Sequence, residues 1–146
     1  MRAEKEALCI LTDNFRPIPF RKGTEEIPIY SVQSLVDTLR ELAGREPRVV
    51  ILDRRNGPQL FVALAGKWGA VEAYLDPDRN RGWAATPAVP YISEDLWITS
   101  EGEPSLFKAA WAMPVDDVIQ LAAYVTEHGE LPNNVVWTDF HGERLQ

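Results

Sequence analysis

Cysteine and histidine are nearly missing from this chain of 146 residues, with one Cys (Cys9) and two His (His128 and His141). That scarcity leaves no zinc-type ligand spacing, no Cys-x-x-Cys pair and no His-x-Glu with Pro-Cys-x-x-Cys of the zinc deaminases, so neither a metal site nor catalytic residues are expected. A lone Cys cannot close an internal disulfide, which agrees with a reducing compartment. Apolar runs are short as well. None nears the roughly 20 residues of a membrane span, and the opening Met1-Arg2-Ala3-Glu4-Lys5-Glu6 lacks the apolar stretch of a signal peptide, so a soluble cytoplasmic protein is expected, without a membrane partner. The glycine-rich loops that cradle phosphates and the Gly-x-Ser-x-Gly elbow of serine hydrolases are also lacking, and no cofactor is expected.

The last absence is of positive charge. Residues 93–143 hold ten acidic side chains and one basic one, Lys108, whereas the 92 residues before them are nearly balanced, with 12 acids against 13 Lys and Arg. The net charge of −7 therefore belongs to the C-terminal half. Such a field repels phosphate backbones and draws in basic surfaces, which argues against nucleic acid and for a cationic protein partner.

What is present suits one globular domain over residues 1–146. Hydrophobic residues make up 45%, including five Trp, five Phe and four Tyr, enough for a continuous core. Residues 7–11 read as a strand, with Cys9 a small buried hydrophobe in it, and residues 12–28 as a polar, Pro-rich loop. Val32, Leu35, Val36, Leu39 and Leu42 recur at helical spacing, with Ser31 as N-cap and Gly44 as C-cap. The β-branched run Arg48-Val49-Val50-Ile51-Leu52-Asp53, the Asn56-Gly57 turn and residues 59–65 predict a hairpin. A third strand at residues 70–75 extends it into a meander. Residues 76–90 read as a long loop of the length that often carries function. Strands are expected at residues 96–99 and 106–113, joined by an acidic hairpin loop.

Val118, Ile119, Ala122 and Val125 mark a second helix, opened by Asp116 or Asp117 and closed by Gly129, with His128 a favourable cation at its C-terminal end. Residues 135–137 form a last strand before a polar tail holding Asp139, His141 and Glu143. The pattern predicts an α+β fold, an antiparallel meander of about five to six strands with two amphipathic helices packed on it.

Trp97, Trp111 and Trp137 fall inside predicted strands and read as core, whereas Trp68 and Trp83 fall in turns, where an aromatic beside charge has the composition of an interface anchor. Asp76 and Asp78 begin like a calcium loop but run into Arg79-Asn80-Arg81, which ends that reading. The pairs Glu94, Asp95 and Glu101, Glu103 read as solvated acids of a hairpin.

The order of helix, Asn-Gly-Pro hairpin, Gly-x-x-Gly strand turn, then Pro114-Val115-Asp116-Asp117-Val118-Ile119, Tyr124-Val125, Gly129, Pro132 and Trp137 resembles immunity protein family one of bacterial polymorphic toxin systems. The resemblance spans about residues 31–139 and leaves the N-terminal 30 outside. It implies a cytoplasmic antitoxin that binds a cognate secreted toxin domain, often a nucleic-acid-modifying deaminase, and covers its active site. Charge and loop position then nominate Asp76, Asp78, Glu94, Asp95, Glu101 and Glu103 as acids for a basic toxin groove, with Trp83, and Trp97 if exposed, as apolar anchors. Two other readings stay open: a small enzyme using the carboxylates from Glu94 to Glu103, and an adaptor presenting a sheet edge.

Overall fold

A computed structural model describes residues 6–14, 25–75, 81–100 and 103–146, with backbone alone at Thr99, Ser100 and Glu103. Four of the nominated acids, Asp76, Asp78, Glu101 and the Glu103 side chain, lie outside what it describes.

Strand β1 (Cys9–Asp13) lies between β2 (Glu25–Ile29) and β3 (Arg48–Asp53), and helix α1 (Val32–Ala43) carries the chain across it. Ser31 caps α1 by accepting a hydrogen bond from the Ser34 amide at 3.1 Å, and Leu35, Val36, Leu39 and Leu42 are its buried stripe. Hairpins then add β4 (Gln59–Ala65) and β5 (Trp68–Tyr74), the second closed by Gly66 and Lys67, with Gly66 at φ 66°. Next come β6 (Gly82–Ala85), β7 (Leu96–Ser100), β8 (Glu103–Phe107), a 3-10 turn (Ala109–Trp111), β9 (Met113–Pro114), α2 (Val115–His128) and β10 (Trp137–Thr138). The main sheet runs β10-β6-β5-β4-β3-β1-β2, with β9 paired to the start of β5, and every pairing is antiparallel. This is an α+β fold.

Both helices cover one face. Leu35, Leu39, Ile119 and Ala122 pack there against Leu11, Leu52, Leu60, Val62 and Val71. The opposite face is covered by the β7–β8 hairpin, a separate two-stranded sheet: Ile98, Phe107 and Trp111 bury against Val49, Ala63, Ala70 and Ala84. The small alanines let the hairpin approach the sheet closely.

Several expectations change. Residues 25–28, read as the end of a loop, belong to edge strand β2, where Pro28 needs no ladder donor on its open side. Trp68 and Trp83, read as turn residues, are in β5 and β6. The expected strand over residues 106–113 breaks after Phe107, and Trp111 is buried from the 3-10 turn. Trp97, read as core, is 66% exposed. Helix α2 begins at Val115 with Asp116 and Asp117 in its first turn, where carboxylates favour the dipole. Among the described residues no helix is long and apolar enough to cross a membrane.

Candidate functional site

Alternation along β7 fixes the two sides of the hairpin. Ile98 points into the sheet at 2% exposure, so its neighbour Trp97 must point outward. Just before the strand, Asp95 Oδ1 accepts a hydrogen bond from the Ala109 amide at 2.7 Å, tying the entry of the hairpin to the turn that leaves it. One nominated acid thus has a structural duty. Glu94 beside it is exposed.

Both carboxylates line an open cleft of about 930 Å³ whose other walls include Trp68, Pro90, Tyr91, Leu96 and Ala109. The Trp68 and Tyr91 rings meet across it, 5.9 Å apart and tilted by 43°. An aromatic wall with carboxylates at the margin can hold the aliphatic stem and cationic head of a Lys or Arg.

Trp83 does not join this cleft. Its ring packs against the helix-face core, and the Arg81 guanidinium lies 4.3 Å above it. Arg81 in turn donates to Asp139 Oδ2 at 2.5 Å and Glu143 Oε2 at 2.6 Å. Asp139, read as part of a solvated tail, is buried: Oδ1 also accepts from the His141 and Glu143 amides, and Arg81 together with these amides holds its carboxyl below the usual range. The segment after β10 folds back as a tight turn. Trp83 and Trp97 thus belong to opposite faces of the sheet; among the described nominated residues Glu94 and Asp95 share one cleft, and Trp97 follows them on the outer face of β7.

Sequence reasoning singled out residues 76–90 as a loop of functional length but nominated none of residues 86–91. Residues 86–95 leave β6, next to the edge strand β10 of the main sheet, and lead into the hairpin. Their start is fixed: the Thr86 amide donates to the Val136 carbonyl at 2.8 Å, and the Thr86 hydroxyl lies 2.7 Å from that of Thr138 and 3.0 Å from the Ala84 carbonyl. Beyond it Val89 is 75% exposed and Tyr91 53%. These residues belong to the uncharged stretch 82–93, but uncharged stretches also run over 58–66 and 118–126, so lack of charge does not single this segment out.

Other groups with shifted protonation are explained by packing. Burial pushes the Cys9 thiol up to about 11, with Arg54 opposing, which makes it a poor nucleophile. Burial also raises the Glu72 carboxyl, although the Tyr74 hydroxyl donates to it at 3.0 Å and works the other way. Among the described residues no group of three or more His, Cys, Asp or Glu side chains comes together as a metal site.

The family model described as immunity protein Imm1 matches residues 23–139. The chain belongs to this family. The match starts earlier than the resemblance read from the sequence, so β2 lies within the Imm1 region. It ends at Asp139, the residue that anchors the final turn. No curated protein matches the chain. Membership in Imm1 gives the protein an immunity role and implies a cognate toxin as its partner.

Proposed function

We propose that this Imm1 protein works in the cytoplasm and neutralises a toxin domain that acts on nucleic acid, with a deaminase as the favoured chemistry, by covering its basic active-site groove. The supporting observation is the acid bias of residues 93–143, whose first segment exposes Glu94 and Trp97. An enzyme that holds a phosphate backbone needs a cationic groove, and a protein with a net charge of −7 competes for that groove while being repelled by the nucleic acid itself. Trp97 supplies apolar contact, and Glu94 supplies charge.

The test is co-expression of the toxin domain encoded beside the immunity gene, followed by an assay of base deamination with purified proteins. Protection of cells together with loss of deamination, relieved by excess single-stranded nucleic acid, is the expected result. Protection with undiminished turnover on nucleic acid would remove groove occlusion; absence of both binding and protection would remove this toxin as the partner.

A further inference from the structure

Residues 87–91 present two prolines, an alanine, Val89 and Tyr91 on the outside of the molecule, a run of apolar surface that monomeric proteins seldom leave uncovered. It is a ridge held at both ends, by Thr86 against Val136 and by the Tyr91 ring against Trp68. Two prolines reduce its freedom before any partner arrives, so docking on it costs little ordering entropy.

The charges beside the ridge differ between its ends. At its far end Pro90 and Tyr91 border the cleft that contains Glu94 and Asp95. At its near end Pro87 and Ala88 border a second cavity, of about 460 Å³, that contains Lys108 and Arg144 together with Asp139, whose carboxylate is held by Arg81, and a third that contains Asp117. The Lys108 ammonium is held over the Phe140 ring at 4.0 Å and donates to the Phe140 carbonyl, so its charge stays fixed beside the ridge.

We infer that this ridge, with Trp97 beyond its acidic end, is the surface on which the toxin docks, and that the opposed charges at its ends set the orientation of the complex. The inference rests on the immunity reading above and adds to it the contact surface and the partner's chemistry. The matching toxin face carries an apolar recess for Val89, a Lys or Arg beside it to meet Glu94, and an Asp or Glu on the other side to meet Arg144. A partner that was basic throughout would gain at the first cleft and be repelled at the second.

The probe is the adjacent toxin domain made inactive by substitution of its catalytic residue, with binding measured by surface plasmon resonance and protection measured in cells. Val89→Asp and Trp97→Ala, both at exposed positions, should each weaken Kd by about tenfold or more, as loss of an interface anchor does, with unchanged thermal melting. Glu94→Lys and Arg144→Glu should both slow association, although they change the net charge in opposite directions. Wild-type binding and protection with Val89→Asp and Trp97→Ala within about twofold of it would overturn the ridge and leave the immunity reading intact. Faster association of Arg144→Glu would overturn the orientation and point to a uniformly basic partner. A wild-type protein that neither binds nor protects would overturn both readings together.

Discussion

At the scale of single residues, Glu72 and Gly129 each make a demand on stability that can be measured. Glu72 is half-buried on β5, and its carboxyl is raised above the ordinary value of 4.5 because the charged form is poorly solvated there. A group whose folded value is raised favours the folded state when protonated, and that contribution fades as pH rises through the folded value. Glu72→Gln should therefore increase the urea midpoint at neutral pH, with the gain vanishing below about pH 4 where both forms are uncharged; a gain independent of pH would contradict the assignment. Gly129 ends α2 at φ 73°, and a Cβ there would lie 2.8 Å from Arg54 Nη1, the group that donates to the Val125 carbonyl at 3.1 Å. Gly129→Ala combines the left-handed penalty of about 1–2 kcal/mol with displacement of that guanidinium, and chemical denaturation should show a loss at least that large. Gly129 as a helix stop was legible in the sequence because the need for positive φ is local. Its contact with Arg54 was not, because the two lie 75 positions apart in the chain.

At the scale of elements, the legible parts are those whose pattern is self-contained. Val32, Leu35, Val36, Leu39 and Leu42 define α1 through their own spacing, and Asn56-Gly57 defines the β3–β4 hairpin through its own turn. Strands β2 and β6 escaped notice because neither has a strong β sequence and each is set by a partner. β2 tolerates Pro28 only as an edge, and β6 is flanked by β10, where Trp137 faces Ala85 and Thr138 faces Ala84 from far along the chain. The break after Phe107 has the same origin, since it depends on Asp95 reaching the Ala109 amide. Of the candidate site, Glu94, Asp95 and Trp97 were legible from charge and aromatic content. The ridge was not, because attention to charge passes over an uncharged run. Asp95 separates the two roles cleanly. Asp95→Ala should cost about 1 kcal/mol of stability by leaving that amide without its acceptor, and Asp95→Asn should restore most of it by thermal melting while lacking the charge. Equal melting of all three proteins would return Asp95 to the solvated acids.

For the whole molecule, the distribution of charge matters more than its sum. Raising ionic strength from about 0.01 M to about 0.15 M shortens the screening length from about 30 Å to about 8 Å, which silences the broad field and leaves contacts at the ridge. Stopped-flow association with the toxin should slow over that range while dissociation changes little; a constant association rate would mean that the net charge of −7 serves solubility rather than capture. The acids of the C-terminal half are spread over both layers: Glu94 and Asp95 enter the hairpin on one face, Asp116, Asp117 and Glu127 lie on α2 on the other, and the nearly balanced first part supplies most of the sheet between them.

That same division bears on the order in which the protein becomes complete during synthesis. When β5 leaves the ribosome it has β4 on one side, while β9, α2 and the β10 partner of β6 remain unmade. Helix α1 is already made and packs on this face, but β5 lacks its α2 cover until residues 115–128 arrive, and Ala63 and Ala70 stay uncovered until the hairpin forms. The ridge can gain both of its anchors only when Val136 is in place. Truncation before Val136 should therefore abolish protection in the rescue assay, because the ridge then lacks its near anchor.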